Sequence, residues 1–244
     1  MKKVFYALLS AAILVASVYL LGLLVEPKFN EGVRDGAMIR EYYASDFDHD
    51  MVFIGDCEVY ENFSPVVLNE EYGIKSYVRG SPNQLVWQSY YLLEDTYLHE
   101  TPKYVIFNVR ALKNDIADTE TYNRMTLDGM KWSKYKVAAI NDSLMEGESF
   151  LSYVFPLLRY HSRITELSGD DFRYMFNRPT VTWDGYLPNY EVVPAKRLPN
   201  KNPLADYSLD ERCMEYLDKI RSACEEHGST LILIKSPCEY PYYY

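Results

Sequence analysis

The sequence predicts an α/β domain that is built on a parallel sheet and carried by one N-terminal transmembrane helix. Two observations predict the α/β class. The sequence contains short apolar runs bounded by Gly, Asp or Pro, which are typical of buried strands, and these runs alternate with longer helical patterns. A third observation, one long uncharged run near the N-terminus, predicts the transmembrane helix. The length of 244 residues suits one such domain with an appendage.

The N-terminal segment, residues 1–25, is predicted to be a retained signal anchor. Lys2 and Lys3 precede an uncharged stretch from residue 4 to residue 25. About 22 residues at 1.5 Å each extend about 33 Å, which is enough to cross the hydrocarbon layer. No small-x-small cleavage site precedes Glu26, which favours the anchor over the alternative of a cleaved signal peptide. Because positive flanks stay inside, we expect a cytoplasmic N-terminus, a single pass through the cell membrane and an extracytoplasmic domain.

Residues 26–48 are polar and mixed, and they predict a stalk with a short helix near residues 33–43. The sheet domain is predicted over residues 49–244. Ser64-Pro65 signals the start of one of its helices, and Gly228 signals the end of its last helix. The predicted strands lie near residues 51–54, 74–79, 104–109 and 230–235, and the predicted helices near residues 66–72, 83–98 and 208–227.

A helical insertion is predicted between the third and fourth strands, over about residues 112–206. Helical patterns recur around residues 127–144, 150–167 and 170–176, and a proline-rich stretch follows them. No clean strand pattern interrupts this region, so we expect the insertion to add helices to the domain without adding strands.

The charge balance and the cysteines exclude several partners. The 25 Lys and Arg residues against 35 Asp and Glu residues give a net charge of −10, whereas nucleic acids and anionic membrane surfaces select for a basic face. The four cysteines show no spacing typical of a zinc site. Cys213 and Cys224 would lie about 16 Å apart on one helix, which is beyond disulfide reach. We therefore expect free thiols, no metal and no cofactor.

The first three strands end in groups that suit a binding crevice. Cys57 follows the first strand, Gly80 the second, and Asn108 the third. In an open parallel sheet, ligands bind outside the carboxyl ends of the strands, where the strand order reverses. A strand order of 2-1-3-4 would bring these residues together, and a helix beginning after the first strand would offer backbone N–H groups to an oxyanion.

The stretch VFIGDCEVYENFSP, residues 52–65, resembles the first motif block of the GDSL/SGNH hydrolases. It is most similar to the membrane-anchored branch involved in acylating cell-envelope polymers, whose block is roughly F-I-G-S-S-x-x-Y-x-x-F-x-P. The resemblance covers about residues 48–240. The further segments that carry it are YVRGSPNQ at residues 77–84, QSYYLL at 88–93, TPKYVIFN at 101–108 and FPLLRYHSR at 155–163.

The resemblance implies a three-layer, flavodoxin-like fold and ester chemistry. The expected reaction is hydrolysis, or acyl transfer to a hydroxyl, on acylated carbohydrate or polyol polymers of the cell envelope. By position, Cys57 stands where the family has its nucleophilic Ser, and Gly80 stands where the second block supplies an oxyanion N–H. Asn108, with Asn114 behind it, is the candidate for the Asn of the third block, although neither stands in a G-x-N-D context.

Two features depart from the family pattern. Cys57 replaces Ser, and the carboxylates of Asp56 and Glu58 would raise the pKa of its thiol, while a helix N-terminus would lower it. The base of the family is a His in a C-terminal D-x-x-H segment, which this sequence lacks, so we expect a domain that is incomplete at its C-terminal end. The alternative is a non-catalytic, membrane-anchored binding or assembly module in which Cys57 is a small buried residue.

Overall fold

One parallel sheet organises the domain. The computed structural model describes residues 1–28, 37–190 and 209–236. The beginning of the predicted stalk helix, the proline-rich end of the insertion and Cys238 lie outside the described residues. The strands are β1 (Met51–Gly55), β2 (Ser76–Gly80), β3 (Tyr104–Asn108) and β4 (Thr230–Ile234). Their order across the sheet is β2-β1-β3-β4 with parallel pairing throughout, which confirms the predicted α/β class and strand order.

Helices cover both faces of the sheet. On one face, Val52 and Phe107 pack against the helices Val86–Thr96 and Glu211–His227, and on the other, Phe53 and Ile106 pack against the helix Cys57–Tyr60. Because consecutive strand residues point to opposite faces, strands covered on both sides are apolar along their length. The helices are α1 (Lys2–Val25), α2 (Ala37–Glu41), α3 (Cys57–Tyr60), α4 (Pro65–Tyr72), α5 (Val86–Thr96), α6 (Glu120–Leu127), α7 (Lys134–Ser143), α8 (Phe150–Val154), α9 (Pro156–Tyr160), α10 (Gly169–Arg173) and α11 (Glu211–His227), with 3-10 turns at Tyr42–Ala44, Val109–Lys113 and His161–Glu166.

Local signals start and stop the helices at the predicted residues. The hydroxyl of Ser64 accepts a hydrogen bond from the backbone N–H of Val67 at 3.4 Å, and Pro65 opens α4. Gly228 adopts φ 75° after α11, a left-handed conformation that glycine takes without steric cost. The Ser64 cap and the Gly228 stop are thereby confirmed.

The N-terminal helix α1 is long and apolar enough to cross a membrane. Most of its side chains are exposed, whereas Gly22 and Val25 in its last turn are buried against the rest of the chain. The sequence prediction of one apolar N-terminal helix is confirmed at this level.

Residues 37–44, which fall within the predicted stalk, pack on the sheet domain. Ile39 and Tyr42 are fully buried. The guanidinium of Arg79, on β2, lies 3.9 Å from the centre of the Tyr42 ring. The same guanidinium lies 3.0 Å from the carboxylate of Asp95, on α5, and both side chains of this pair are buried. The segment is thus fastened to β2 and α5.

The region between β3 and β4 is helical through α6 to α10. Its first part packs on α5 through an apolar cluster that includes Leu92, Leu127 and Ile140. Its later part, from α9 to α10, contacts α1. The inserted helices therefore rest on α5 and on the N-terminal helix.

Candidate functional site

Three strand ends meet at the carboxyl edge of the sheet. Gly55, the last residue of β1, pairs with Gly80, the last residue of β2. On the other side of β1, Ile54 pairs with Phe107, so that Asn108 follows at the level of Gly55. Cys57 begins α3 two residues after β1 ends. The strand order thus brings the three predicted site residues to the same edge.

Two glycines allow the close approach of these strand ends. Gly55 has φ +155°, and a Cβ atom there would lie 2.6 Å from a methyl carbon of Val59 and 3.3 Å from the Cβ of Asn108. A Cβ atom at Gly80 would lie 3.1 Å from the carbonyl oxygen of Gly55 and 3.2 Å from the ring of Tyr60. A side chain at Gly55 would clash with Val59, and one at Gly80 would crowd the Gly55 carbonyl and the Tyr60 ring, so both positions favour glycine.

Asp56 shapes the turn that presents Cys57. Its carboxylate caps α3 by accepting a hydrogen bond from the backbone N–H of Glu58 at 3.1 Å, as expected of an N-cap Asp. The side chain is buried, and this burial raises the pKa of Asp56 above its usual range, although Arg110 opposes the shift. A carboxyl group in a poorly solvated position therefore stands directly before the thiol.

Glu58 holds the ends of β1 and β3 together. One of its carboxylate oxygens accepts a hydrogen bond from the side-chain amide of Asn108 at 2.9 Å, and the other accepts from the guanidinium of Arg110 at 2.8 Å. The amide oxygen of Asn108 accepts from the backbone N–H of Arg110 at 3.0 Å. Ser236, just after β4, donates to the backbone carbonyl of Glu58 at 3.3 Å. The network therefore reaches the ends of three strands.

Arg110 is a member of this site that the sequence pattern did not predict, and Glu58 has a larger role than that of a charge beside the thiol. A usable signal was present, since both residues lie within two positions of a predicted site residue at a strand end. Asn114, the second candidate for the Asn of the third block, lies at the end of the 3-10 turn that follows Asn108. Its backbone carbonyl accepts a hydrogen bond from the thiol of Cys213 at 3.5 Å.

The loop after Gly80 is fixed by buried polar contacts. The hydroxyl of Ser81 donates to the side-chain oxygen of Gln84 at 3.1 Å. The side-chain amide of Gln84 in turn donates to the hydroxyl of Ser89 at 3.0 Å. All three residues are buried, and polar groups that are satisfied inside a protein stiffen the backbone that carries them.

The environment of Cys57 favours the neutral thiol. Partial burial is the main cause that raises its pKa above the ordinary value, and the carboxylates of Asp56, Glu61 and Glu58 act in the same direction. The guanidinium of Arg110 acts in the opposite direction. Because the thiolate is the reactive form of cysteine, this environment makes the Cys57 thiol less reactive at neutral pH than an ordinary one.

The four histidines all lie in the described part of the chain, and their rings contact residues other than Cys57. His49 lies at the opposite, amino-terminal end of β1. Each ring is engaged elsewhere: His49 with the carboxylate of Glu100 at 2.9 Å, His99 stacked on Phe47 with ring centres 4.8 Å apart, His227 stacked on Tyr97 at 3.9 Å, and His161 with the carbonyl of Leu158 at 3.3 Å.

Among the described residues, no group of three or more His, Cys, Asp or Glu side chains is arranged to hold a metal ion. The described cysteines, Cys57, Cys213 and Cys224, are free thiols. The groups gathered at the carboxyl edge are the thiol of Cys57, the amide of Asn108, the guanidinium of Arg110 and the carboxylates of Asp56 and Glu58.

No protein-family model matches this chain, and no curated protein matches it. Over residues 1–28, 37–190 and 209–236, the fold defines an α/β protein with a four-stranded parallel sheet and an apolar N-terminal helix.

Proposed function

We propose that the protein is a membrane-anchored, SGNH-like enzyme of flavodoxin-like fold that hydrolyses or transfers acyl esters of envelope carbohydrate or polyol polymers. The observation that carries this proposal is the meeting of Cys57, just after β1, with Gly80 and Asn108, the last residues of β2 and β3, at the carboxyl edge of one parallel sheet. Ligands bind at this edge in open α/β sheets, and the resemblance of residues 52–65 to the first SGNH block adds the ester chemistry.

In the proposed reaction, the sulfur of Cys57 attacks the acyl carbonyl carbon and forms a thioester. The alkoxide of the polymer leaves and takes up the thiol proton, and water or an acceptor hydroxyl then cleaves the thioester and restores the thiol. The backbone N–H groups of Cys57 and Gly80 and the amide of Asn108 would stabilise the oxyanion. Because Glu58 accepts the Asn108 amide at 2.9 Å, this role requires the carboxylate to release the amide when the substrate binds.

The proposed location is the outer face of the cell membrane. Support comes from α1, which is apolar and exposed over most of its length, and from Lys2 and Lys3 before it, which favour a cytoplasmic N-terminus. In this arrangement the sheet domain faces the envelope polymers that the proposed chemistry needs.

The nucleophile is tested by the turnover of a short-chain aryl ester by the full chain and by Cys57→Ala and Cys57→Ser. We expect Cys57→Ala to lose at least about a hundredfold in kcat/KM, because removal of a nucleophile abolishes covalent catalysis. Cys213→Ala is the matched control, since it removes a buried thiol on α11, and it should keep the activity. Equal turnover by the wild type and Cys57→Ala would contradict the assignment of Cys57 as the nucleophile.

A second candidate function is a non-catalytic binding or assembly module on the same fold. Two observations favour it: the pKa of the Cys57 thiol is raised, and the amide that an oxyanion would need is held by Glu58. This candidate predicts that wild type and Cys57→Ala bind an acylated envelope polymer with the same affinity and without turnover. Titration calorimetry beside the ester assay separates the two functions.

A further inference from the structure

The segment of residues 150–176, here called the α8–α10 segment, exposes an unusual amount of apolar surface. Six large apolar side chains within it are more than two-fifths exposed. Soluble proteins seldom leave such a cluster uncovered unless something binds there. The six are Leu151, Phe155, Leu158, Ile164, Phe172 and Phe176.

The α8–α10 segment packs directly on the N-terminal helix. Phe155 and Pro156 share an apolar groove of about 570 Å³ with side chains of α1, among them Val15 and Tyr19. Gly22 lies against the Pro156 ring, since a Cβ atom at residue 22 would be 3.5 Å from the Cδ of Pro156, an ordinary van der Waals distance. The turn between α8 and α9 therefore lies along the side of α1.

Charged side chains from three places meet at the end of α1: Arg163 of the α8–α10 segment, Arg178 just after that segment, and Lys28 just after α1 itself. The guanidinium of Arg163 donates to the carbonyl of Val25, the last residue of the helix. Arg178 forms an ion pair with Glu26 at 3.0 Å, and both side chains are buried. The ammonium of Lys28 donates to the carbonyl of Leu23 at 2.7 Å. Cationic side chains that satisfy the last carbonyls of a helix stabilise its end, so the segment and the helix end form one unit.

The depth of the contact along α1 decides what covers the exposed side chains. Val15 lies ten residues before Val25, or about 15 Å along the helix axis, and Tyr19 lies about 9 Å before it. The hydrocarbon layer of a bilayer is about 30 Å thick, so that one leaflet measures about 15 Å. If α1 crosses the membrane with Val25 at its outer surface, Phe155 lies within the outer leaflet.

We propose that the turn between α8 and α9 enters the outer leaflet beside α1, with Phe155, Leu158 and Leu151 in contact with lipid hydrocarbon. The inference rests on the proposed membrane anchor and adds a second, non-spanning membrane contact to it. Apolar side chains that would otherwise face water are then buried in the lipid, and each contributes free energy in proportion to the area removed from water. The contact also holds the sheet domain in a defined orientation, since the segment is locked to the helix end.

Photo-crosslinking to lipid tests the proposal in the full chain. A p-benzoylphenylalanine residue replaces Phe155 or Leu158, and the protein is irradiated in phosphatidylcholine vesicles that contain a tritiated phospholipid. Leu14, which is exposed in the middle of α1, is the positive control site, and Tyr72, an exposed aromatic residue on α4, is the matched negative control. We expect tritium in the protein with the probe at residues 155, 158 and 14 but not at residue 72.

The possible outcomes separate the inference from the anchor on which it rests. Label at residue 14 without label at residues 155 and 158 would overturn the lipid contact and leave the anchor standing. Absence of label at residue 14 as well would overturn both. A covalent dimer at residue 155 in place of lipid label would show that a second copy of the chain covers the segment, and it would also overturn the proposal.

Discussion

At the scale of single residues, burial is the main cause that raises the pKa of the Cys57 thiol, and one cation and several carboxylates nearby adjust it further. Glu58 and Asp56 raise the pKa of the thiol, and Arg110 lowers it. Arg110 also forms ion pairs with Glu58 at 2.8 Å and with Asp56 at 3.9 Å. These pairs weaken the effect of its positive charge on the pKa of the Cys57 thiol. This balance makes the reactivity of Cys57 sensitive to single charge changes nearby.

Glu58→Gln is expected to lower the pKa of Cys57 and Arg110→Gln to raise it. The first change removes a negative charge while keeping an oxygen that accepts the Asn108 amide, and the second removes the positive charge that favours the thiolate. Below the thiol pKa, Glu58→Gln should therefore be alkylated faster than wild type and Arg110→Gln more slowly. The rate of iodoacetamide labelling of the Cys57 peptide against pH, followed by mass spectrometry, gives both pKa values.

The control for this charge effect is Arg221→Gln, which removes an exposed arginine on α11. Its labelling curve should superimpose on that of wild type. If Arg110→Gln left the curve of Cys57 unchanged as well, the proposed electrostatic role of Arg110 would be wrong.

At the scale of elements, β3 and β4 are neighbours in one sheet but differ in cover. The residues of β3 after Tyr104 are buried, whereas Ile232 and Leu233 of β4 are more than a third exposed. Consecutive strand residues point to opposite faces, so both faces of β4 are incompletely covered by the described residues. The same apolar strand pattern thus corresponds to two different environments.

Phe107 and Leu233 are directly paired across β3 and β4, and they make the difference measurable. Phe107 is fully buried, so Phe107→Ala should lower the free energy of unfolding by about 3–5 kcal/mol. Leu233 is 49% exposed, and Leu233→Ala should cost about 1 kcal/mol or less. Urea denaturation of the two variants tests the contrast. A cost for Leu233→Ala equal to that for Phe107→Ala would mean that β4 is covered in solution.

Much of the sheet could be predicted because buried parallel strands leave an unmistakable apolar run, as at VFIG and VIFN, and because parallel strands place their carboxyl ends together. This is why Cys57, Gly80 and Asn108 could be placed at one edge of the sheet from the sequence. The network of Glu58 and Arg110 was harder to predict, since charged residues in the loops after strands are usually solvated. The cover of β4 could not be predicted, because an apolar strand has the same sequence pattern whether or not something packs on it.

At the scale of the whole molecule, the folded body begins earlier than residue 49, where the sequence pattern places the domain boundary. Residues 37–44 contribute Ile39 and Tyr42, both fully buried. The Tyr42 ring also covers the guanidinium of Arg79, whose partner Asp95 is equally buried. Without residues 37–44, the Arg79 guanidinium would lose its cation–π contact with the Tyr42 ring. The polar composition of residues 26–48 conceals this contribution.

Fragments 37–244 and 49–244 should therefore differ in stability. Loss of Met38, Ile39 and Tyr42 removes three buried side chains, each contributing about 1.5–3 kcal/mol, so that fragment 49–244 should lose several kcal/mol. At about 2–4 °C per kcal/mol for a domain of this size, its Tm should fall by about 10 °C or more below that of fragment 37–244. Ile39→Ala in the longer fragment is the graded control and should cost about 2–5 kcal/mol. Equal Tm values for the two fragments, measured by circular dichroism, would show that residues 37–44 do not stabilise the domain.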